Sequence, residues 1–466
     1  MLFNSYLFLL FFPLVVILYY LIPIKFRWIW LLITSYYFYG CWHISHIVLL
    51  VYATGVSWLG GLLIHRLREK AKIKKAVLFF SIAACFASLF LFKYGNWVMD
   101  MIGLKRLPIS VPMGISFYTF QAVSYIVDIY REKVSVQENI FRYALYVSFF
   151  PQLVAGPIER SDRLMPQVNK EHKFNYENFR YGFMLMLWGY FLKLVIADRA
   201  SIFIDNVYGD ISGTGGIFII IATVLFAFQI YCDFAGYSLI AMGSAKILGF
   251  ELMENFDAPY LSKSVSEFWR RWHISLSSWF KDYVYIPLGG SRKGKTRKCI
   301  NIMTVFLLSG LWHGADFSYV IWGGLNGIYH LIEEFTKKIT KAIPAIIKTI
   351  VTFILVDIAW VFFRASDTKT AIEAIKKMTE IQEIKDFGTE ICSFGLDKAN
   401  WVVLLLAFAI MFIADMNKNK KIKLLPRFFE KSRIIRCMEI VLIIMGLLIF
   451  GNYGSGVGGA FIYFQF

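Results

Sequence analysis

Long uncharged stretches dominate the pattern of this chain. Residues 6–22, 46–64, 76–92, 183–192, 215–232 and 402–413 carry no charged side chain. Their apolar positions form continuous runs rather than one-sided stripes, and a run of about 20 such residues spans a bilayer as a helix. Roughly eleven or twelve runs meet this description, some short enough to be tilted or re-entrant. The pattern predicts an all-α polytopic membrane protein. The first run lacks a basic leader and a small-residue cleavage site, so it reads as a retained span. No Pro/Gly/Ser-rich linker divides the chain, which reads as one membrane-embedded domain over residues 1–466.

Two stretches break the apolar pattern from within. Pro112 and Gly114 interrupt one run, and Pro151, Gly156 and Pro157 another. Broken helices at membrane depth are tolerated only where they are buried in protein or line a cavity. Residues 251–298 are the least membrane-like part. There Ser266 is the expected cap of a helix through Phe268–Phe280, whose face bears Trp269, Trp272, Leu276 and Trp279 at spacings of three and four. That aromatic face is expected at the membrane interface.

Composition agrees: 58% of residues are hydrophobic and 17% charged, against about 45–50% and 25% in soluble domains. The formal net charge is +17, and its placement matters more than its size. Residues 66–75 carry six basic and one acidic side chain, 291–298 five and none, and 418–436 eight and one. Basic loops between spans mark the cytoplasmic side, and no basic stripe interleaves with aromatics as a nucleic-acid surface would. Residues 365–400, with seven acidic and five basic side chains, are expected outside. The six cysteines show neither CxxC nor Cys/His metal spacing, so no disulfide framework and no metal site are expected.

His313 is the chemical outlier. It ends the uncharged run 302–312, and another apolar run, 317–328, begins four residues later. An ionisable group at that depth is a functional-site hypothesis by default. Forty residues earlier stands His273, a second candidate whose alternative is a structural role. Asp233, in the apolar run 226–234, either orients a histidine or is a buried strut. Arg270 and Arg271 either meet a donor's phosphates or anchor topology.

The residues around these candidates form recognisable strings. Gln229-Ile-Tyr-Cys-Asp-Phe-Ala-Gly-Tyr-Ser238, Phe268-Trp-Arg-Arg-Trp-His-Ile-Ser-Leu-Ser277, Asp282-Tyr-Val-Tyr-Ile-Pro-Leu-Gly-Gly290 and Leu307-Leu-Ser-Gly-Leu-Trp-His-Gly-Ala315 resemble the membrane-bound O-acyltransferase family. Pro112-Met-Gly-Ile-Ser-Phe-Tyr-Thr-Phe-Gln121 and Ala155-Gly-Pro-Ile158 match further upstream, and the core motifs fall within 110–335. The resemblance is closest to the bacterial branch of alginate O-acetyltransferase and teichoic acid D-alanyltransferase.

The resemblance implies a ring of tilted helices around a central tunnel, in the cytoplasmic membrane of a bacterial cell. It implies His313 as the catalytic residue and His273 as its partner. Asp233, Arg270, Arg271, Trp272, Lys281 and Trp312 become the candidate substrate-binding residues. No permanently bound cofactor is implied; the donor is acyl-CoA or an acyl-carrier phosphopantetheine thioester. The acyl group, acetyl by the length and the Phe-Ile-Tyr-Phe-Gln-Phe ending of the chain, would cross to a surface or cell-wall polysaccharide. An extracytoplasmic SGNH-type transferase is the implied partner. D-alanylation of teichoic acid is the alternative within the family; a glycan or lipid transporter and an export scaffold are the alternatives outside it.

The charge bias fixes an expected topology, with the N-terminus outside and loops 66–75, 291–298 and 418–436 inside. A Lys295→Cys variant should therefore resist membrane-impermeant maleimide in intact cells and react after permeabilisation. Strong labelling of intact cells would reverse the assignment.

Overall fold

The structure, a computed structural model, describes the chain except residues 155, 338, 381–385, 421–427, 431, 454–460 and 463–466. Ala155, much of the basic loop 418–436, and all of the C-terminal ending beyond Phe461 and Ile462 thus lie outside the described residues. Every regular element among the described residues is helical. Six helices are long and apolar enough to cross a membrane: Ile44–Arg66, Ala71–Met101, Tyr176–Gly209, Gly216–Ile247, Ala345–Arg364 and Lys398–Asn419. The other runs lie on shorter or more polar helices, such as Tyr6–Leu21. The chain is a multi-pass membrane protein.

It divides into two compact units, Met1–Met186 with Ser238–Glu254, and Leu187–Tyr237 with Asn255–Phe466. The first contains α1 (Tyr6–Leu21), α2 (Arg27–Gly40), α3 (Ile47–Arg66), α4 (Ala71–Leu89), α5 (Gly95–Met101), α6 (Ile115–Tyr130), α7 (Ile140–Ser148), α8 (Phe150–Leu153) and α9 (Ser161–Asn169). Its centre is α6, almost wholly buried and packed by α3, α4, α7 and α9. Gly114 starts α6 with φ +73°, and a Cβ there would stand 2.7 Å from the Leu153 carbonyl oxygen. This backbone position admits glycine because other residues pay a steric cost at positive φ.

The broken helices of this unit are closed off by side chains. Between α7 and α8 the helix ladder stops at Phe149. The freed Tyr146 carbonyl accepts from Gln121 Nε2 at 2.8 Å and Gln152 Nε2 at 2.9 Å. Phe150 N–H donates to Ser35 Oγ at 3.1 Å. The expectation that the breaks are buried in protein is met, and the buried amides are why they are tolerated.

The chain then runs through α10 (Tyr176–Tyr190), a widened π turn at Phe191–Ala197, α11 (Asp198–Gly209) and α12 (Gly216–Ile247). The second unit continues with α13 (Val265–Arg271), α14 (Ile274–Phe280), α15 (Lys295–His313), α16 (Phe317–Thr336), α17 (Ala345–Arg364), α18 (Thr368–Met378), α19 (Phe387–Ser393), α20 (Lys398–Asn419) and α21 (Arg433–Phe450). The α15–α16 hairpin is its tightest pairing. Cβ atoms at Gly310 and Gly323 would lie 2.2 and 2.3 Å from the backbone oxygens of Tyr319 and Phe306. Small residues let membrane helices approach this closely.

The region expected to be one helix through 268–280 is two. Ser264, not Ser266, caps α13, accepting from Glu267 N–H at 3.0 Å. The chain breaks at Trp272–His273 before α14 starts. The aromatic face also turns inward rather than to an interface: Trp272 is 1% exposed and Trp279 3%. Trp272 packs on Phe256, Phe268 and Trp360 with ring centroids 5.0–5.3 Å apart. Burying such large rings outweighs their preference for an interfacial position.

The hairpin predicts a matched pair of variants. Gly323→Ala drives a methyl into the facing backbone and should cost about 1–3 kcal/mol, the usual range for overpacking. At Gly324 an added Cβ would meet only Leu307 Cδ2, at 3.7 Å, so Gly324→Ala should be neutral. Thermal unfolding in detergent separates them; equal midpoints would show that the hairpin can relax.

Candidate functional site

His313 is the last residue of α15 and is 3% exposed. Its Nδ1 lies 2.6 Å from the Ser309 carbonyl oxygen, one helical turn back. A carbonyl oxygen only accepts, so Nδ1 must carry the proton. In the neutral ring that leaves the lone pair on Nε2. Trp312, Trp322 and Phe363 wall the ring at centroid distances of 4.9, 4.8 and 5.5 Å. The glycine after it serves the same packing: a Cβ on Gly314 would collide with the Tyr319 ring at 2.1 Å.

His273 comes from the break between α13 and α14, and its ring centroid is 6.4 Å from that of His313. It is fully buried. Its backbone is left-handed, with φ 42° and ψ 54°, a conformation rare for residues other than glycine and characteristic of functional sites. Two backbone hydrogen bonds hold it there. Asp257 N–H donates to the Arg271 carbonyl at 2.9 Å, and Ile274 N–H to the Asn255 carbonyl at 3.0 Å. Asn255 Oδ1 also accepts from Ser275 Oγ at 2.7 Å. Segment 255–257 thus clamps both sides of His273. Phe234 packs edge-on against its ring at 4.7 Å and Trp312 lies at 5.9 Å. Burial first, and the neighbouring His313 second, hold His273 well below the ordinary histidine range, so the ring is neutral near pH 7.

The structure therefore brings His273, His313 and Trp312 together. The other expected residues have different surroundings. Asp233 forms an ion pair with Lys193 at 2.6 Å and accepts the Ile462 N–H at 2.7 Å. Of its two readings, the buried strut is the one its contacts describe. Arg271 is tied down by Glu267 Oε1 at 2.7 Å, Asn419 Oδ1 at 2.8 Å and the Asp257 carbonyl. Trp272 is a core residue. Arg270 and Lys281 are exposed. Among the described residues no group of three or more His, Cys, Asp or Glu side chains forms a metal-holding set.

Sequence reasoning missed Lys193 and Asp198. Lys193 Nζ sits between Asp198 Oδ1 at 2.8 Å and Asp233 Oδ1 at 2.6 Å, all three buried, and lies over the Tyr237 ring at 5.4 Å. The available signal was a lysine directly following the uncharged run 183–192, with an aspartate five residues on. That spacing fits the widened turn better than a regular helix.

The triad predicts a distinctive pattern of stability. Lys193→Met leaves two carboxylates buried without their cation and should cost about 3–5 kcal/mol. Replacing all three with Met, Leu and Leu should recover most of the loss, because no charge then stays buried. Thermal unfolding in detergent reads both; a triple variant no better than the single one would show that the charges are needed for more than mutual neutralisation.

Comparisons with known proteins bear on this geometry. MBOAT, the membrane-bound O-acyltransferase family, matches residues 108–364, a span that includes both histidines. A probable alginate O-acetylase of Pseudomonas aeruginosa is 37% identical over 430 residues, covering 88% of this chain and 81% of its own. A peptidoglycan O-acetyltransferase of Helicobacter pylori is 32% identical over 410 residues, 80% of this chain and 77% of its own. A teichoic acid D-alanyltransferase of Bacillus subtilis is 29% identical over 269 residues, 54% and 67% of the two chains.

Proposed function

Because the chain belongs to the membrane-bound O-acyltransferase family and is an O-acyltransferase, we propose that it moves an acetyl group from a thioester donor to a hydroxyl of a surface or cell-wall polysaccharide, with His313 as the base. The observation that carries this reading is the Ser309 carbonyl on His313 Nδ1, which leaves Nε2 to take a proton. Acetyl is favoured over D-alanyl because the relatives named as O-acetylating proteins align over 80–90% of this chain, and the D-alanyltransferase of Bacillus subtilis over 54%.

The reaction balances on these groups. Nε2 of His313 takes the acceptor hydroxyl proton as the oxygen attacks the thioester carbonyl. The tetrahedral intermediate collapses, the C–S bond breaks, and the imidazolium returns the proton to the leaving thiolate. A positioned base contributes roughly 10²–10⁴-fold. His273, neutral and 6.4 Å away ring to ring, supplies a hydrogen bond to substrate or intermediate. The aromatic walls keep water from the thioester. The donor is acyl-CoA or an acyl-carrier phosphopantetheine thioester, met on the cytoplasmic side by the exposed Arg270 and Lys281. The acceptor is the polysaccharide itself or an extracytoplasmic SGNH-type transferase that passes the group on. The membrane is the bacterial cytoplasmic membrane.

His313→Ala and His313→Gln should both abolish O-acetylation in a complemented deletion strain while the protein level stays normal. Glutamine hydrogen-bonds but takes no proton near neutral pH. His273→Ala should be equally or less damaging, and the double variant no worse than the worse single one, because residues acting as a unit are not additive. The readout is ester-linked acetate on surface glycan by mass spectrometry, with an immunoblot. Wild-type acetylation by a well-expressed His313→Ala protein would end the base assignment.

A further inference from the structure

The first unit contains a basic cleft that the acyl-transfer chemistry does not use. Its volume is about 340 Å³, and it lies among the ends of α1 and α9, the starts of α2 and α7, and Phe250. Lys25, Arg27, Arg142 and Lys170 line it against one acid, Glu171. None of the site residues described above belongs to it.

The two arginines are fixed, and by neutral groups. Arg27 donates to the carbonyls of Ile22 at 3.0 Å, His172 at 2.6 Å and Tyr20 at 3.0 Å, and its guanidinium lies over the Tyr19 and Tyr20 rings. Arg142 donates to Asn169 Oδ1 at 3.1 Å and lies over the Trp28 ring at 5.3 Å. Neither forms an ion pair among the described residues, in contrast with Lys74, Arg106 and Lys246 of the same unit, each of which meets a carboxylate. Lys25 and Lys170 are exposed and likewise form no ion pair among the described residues. Four cations converge here with their charge largely uncompensated, two of them already oriented. Pre-orientation of this kind lowers the entropic cost of binding an anion.

The setting identifies the anion. Large exposed apolar side chains stand next to the lining residues in the chain: Leu21 at 73% lies two residues after Tyr19, Phe26 at 55% between Lys25 and Arg27, and Phe174 at 54% two residues after His172. Phe174 packs edge-on against Tyr20. A volume of about 340 Å³ is at the small end of the range of small-molecule sites, which suits a headgroup with its acyl chains left outside. We propose that this cleft binds the phosphate of an anionic membrane phospholipid, with the acyl chains lying along Leu21, Phe26 and Phe174. Basic pockets between membrane helices on the cytoplasmic side recognise lipid headgroups by this chemistry. Arg142, which donates to Asn169 through Nη1, offers the arginine donor fork that suits phosphate, and Arg27 adds a fixed positive charge. The assignment does not rest on the acyl-transfer reading.

The test uses the full chain in detergent, with phosphatidylglycerol, phosphatidylcholine and inorganic phosphate titrated separately and followed by thermal shift and native mass spectrometry. Phosphatidylglycerol should bind at least fivefold more tightly than phosphatidylcholine, and less tightly as salt rises. Lys25→Gln with Lys170→Gln should lower that affinity at least fivefold. Lys72→Gln with Lys75→Gln, which removes two exposed charges elsewhere in the same unit, should leave it within twofold. Equal binding of the two lipids, an unaffected Lys25/Lys170 variant, or an equal loss in the Lys72/Lys75 control would overturn the site. Inorganic phosphate matching phosphatidylglycerol at equal concentration would overturn the lipid assignment in favour of a soluble phosphate ester.

Discussion

Inside a bilayer or a packed protein interior a polar backbone group has no water to turn to, so each must find a partner within the protein. That constraint explains the unusual features of both units. Where α7 gives way to α8, the amides of Gln121 and Gln152 and the hydroxyl of Ser35 supply the hydrogen bonds the broken ladder lacks. Where α13 gives way to α14, residues 255–257 do the same with their own backbone. The second case has a chemical consequence. The bonds that satisfy the break also hold His273 in a left-handed conformation and place its ring beside His313.

His313 obeys the same rule. Its Nδ1–H goes to a helix carbonyl, so one proton satisfies a buried donor and fixes the tautomer at once. The glycines of α15 and α16 complete the arrangement. Gly310 and Gly323 bring the two helices close, and Gly314 leaves room for the Tyr319 ring. Trp322 and Phe363, carried by α16 and α17, then close over the imidazole.

Charge is handled in two different ways. Lys193 is dehydrated and bracketed by two aspartates, an arrangement in which desolvation is offset only while every member is present. The cations of the cleft in the first unit keep access to solvent and meet neutral carbonyls, amides and aromatic faces instead. A buried charge with its counterions in place is part of the fold; a set of oriented cations without them is a surface ready for an anion.

The sequence by itself determined the class of molecule and singled out two histidines, whose ring centroids the fold places 6.4 Å apart. Uncharged runs are a one-dimensional signal, since a spanning helix is contiguous in the chain, and an imidazole at the end of such a run is conspicuous wherever it lies in space. The strings around Trp272-His273 and Trp312-His313 carried the family. Tertiary structure decided the rest. Periodicity read 268–280 as one helix because it cannot see that Asp257 N–H donates to Arg271 and the Asn255 carbonyl accepts from Ile274, the two bonds that stabilise a break. It placed Trp272 at an interface because burial depends on α17, nearly ninety residues later in the chain, supplying Trp360. It left Asp233 with two readings and Lys193 with none, because ion pairing is set by distance in space, and these residues lie on different helices.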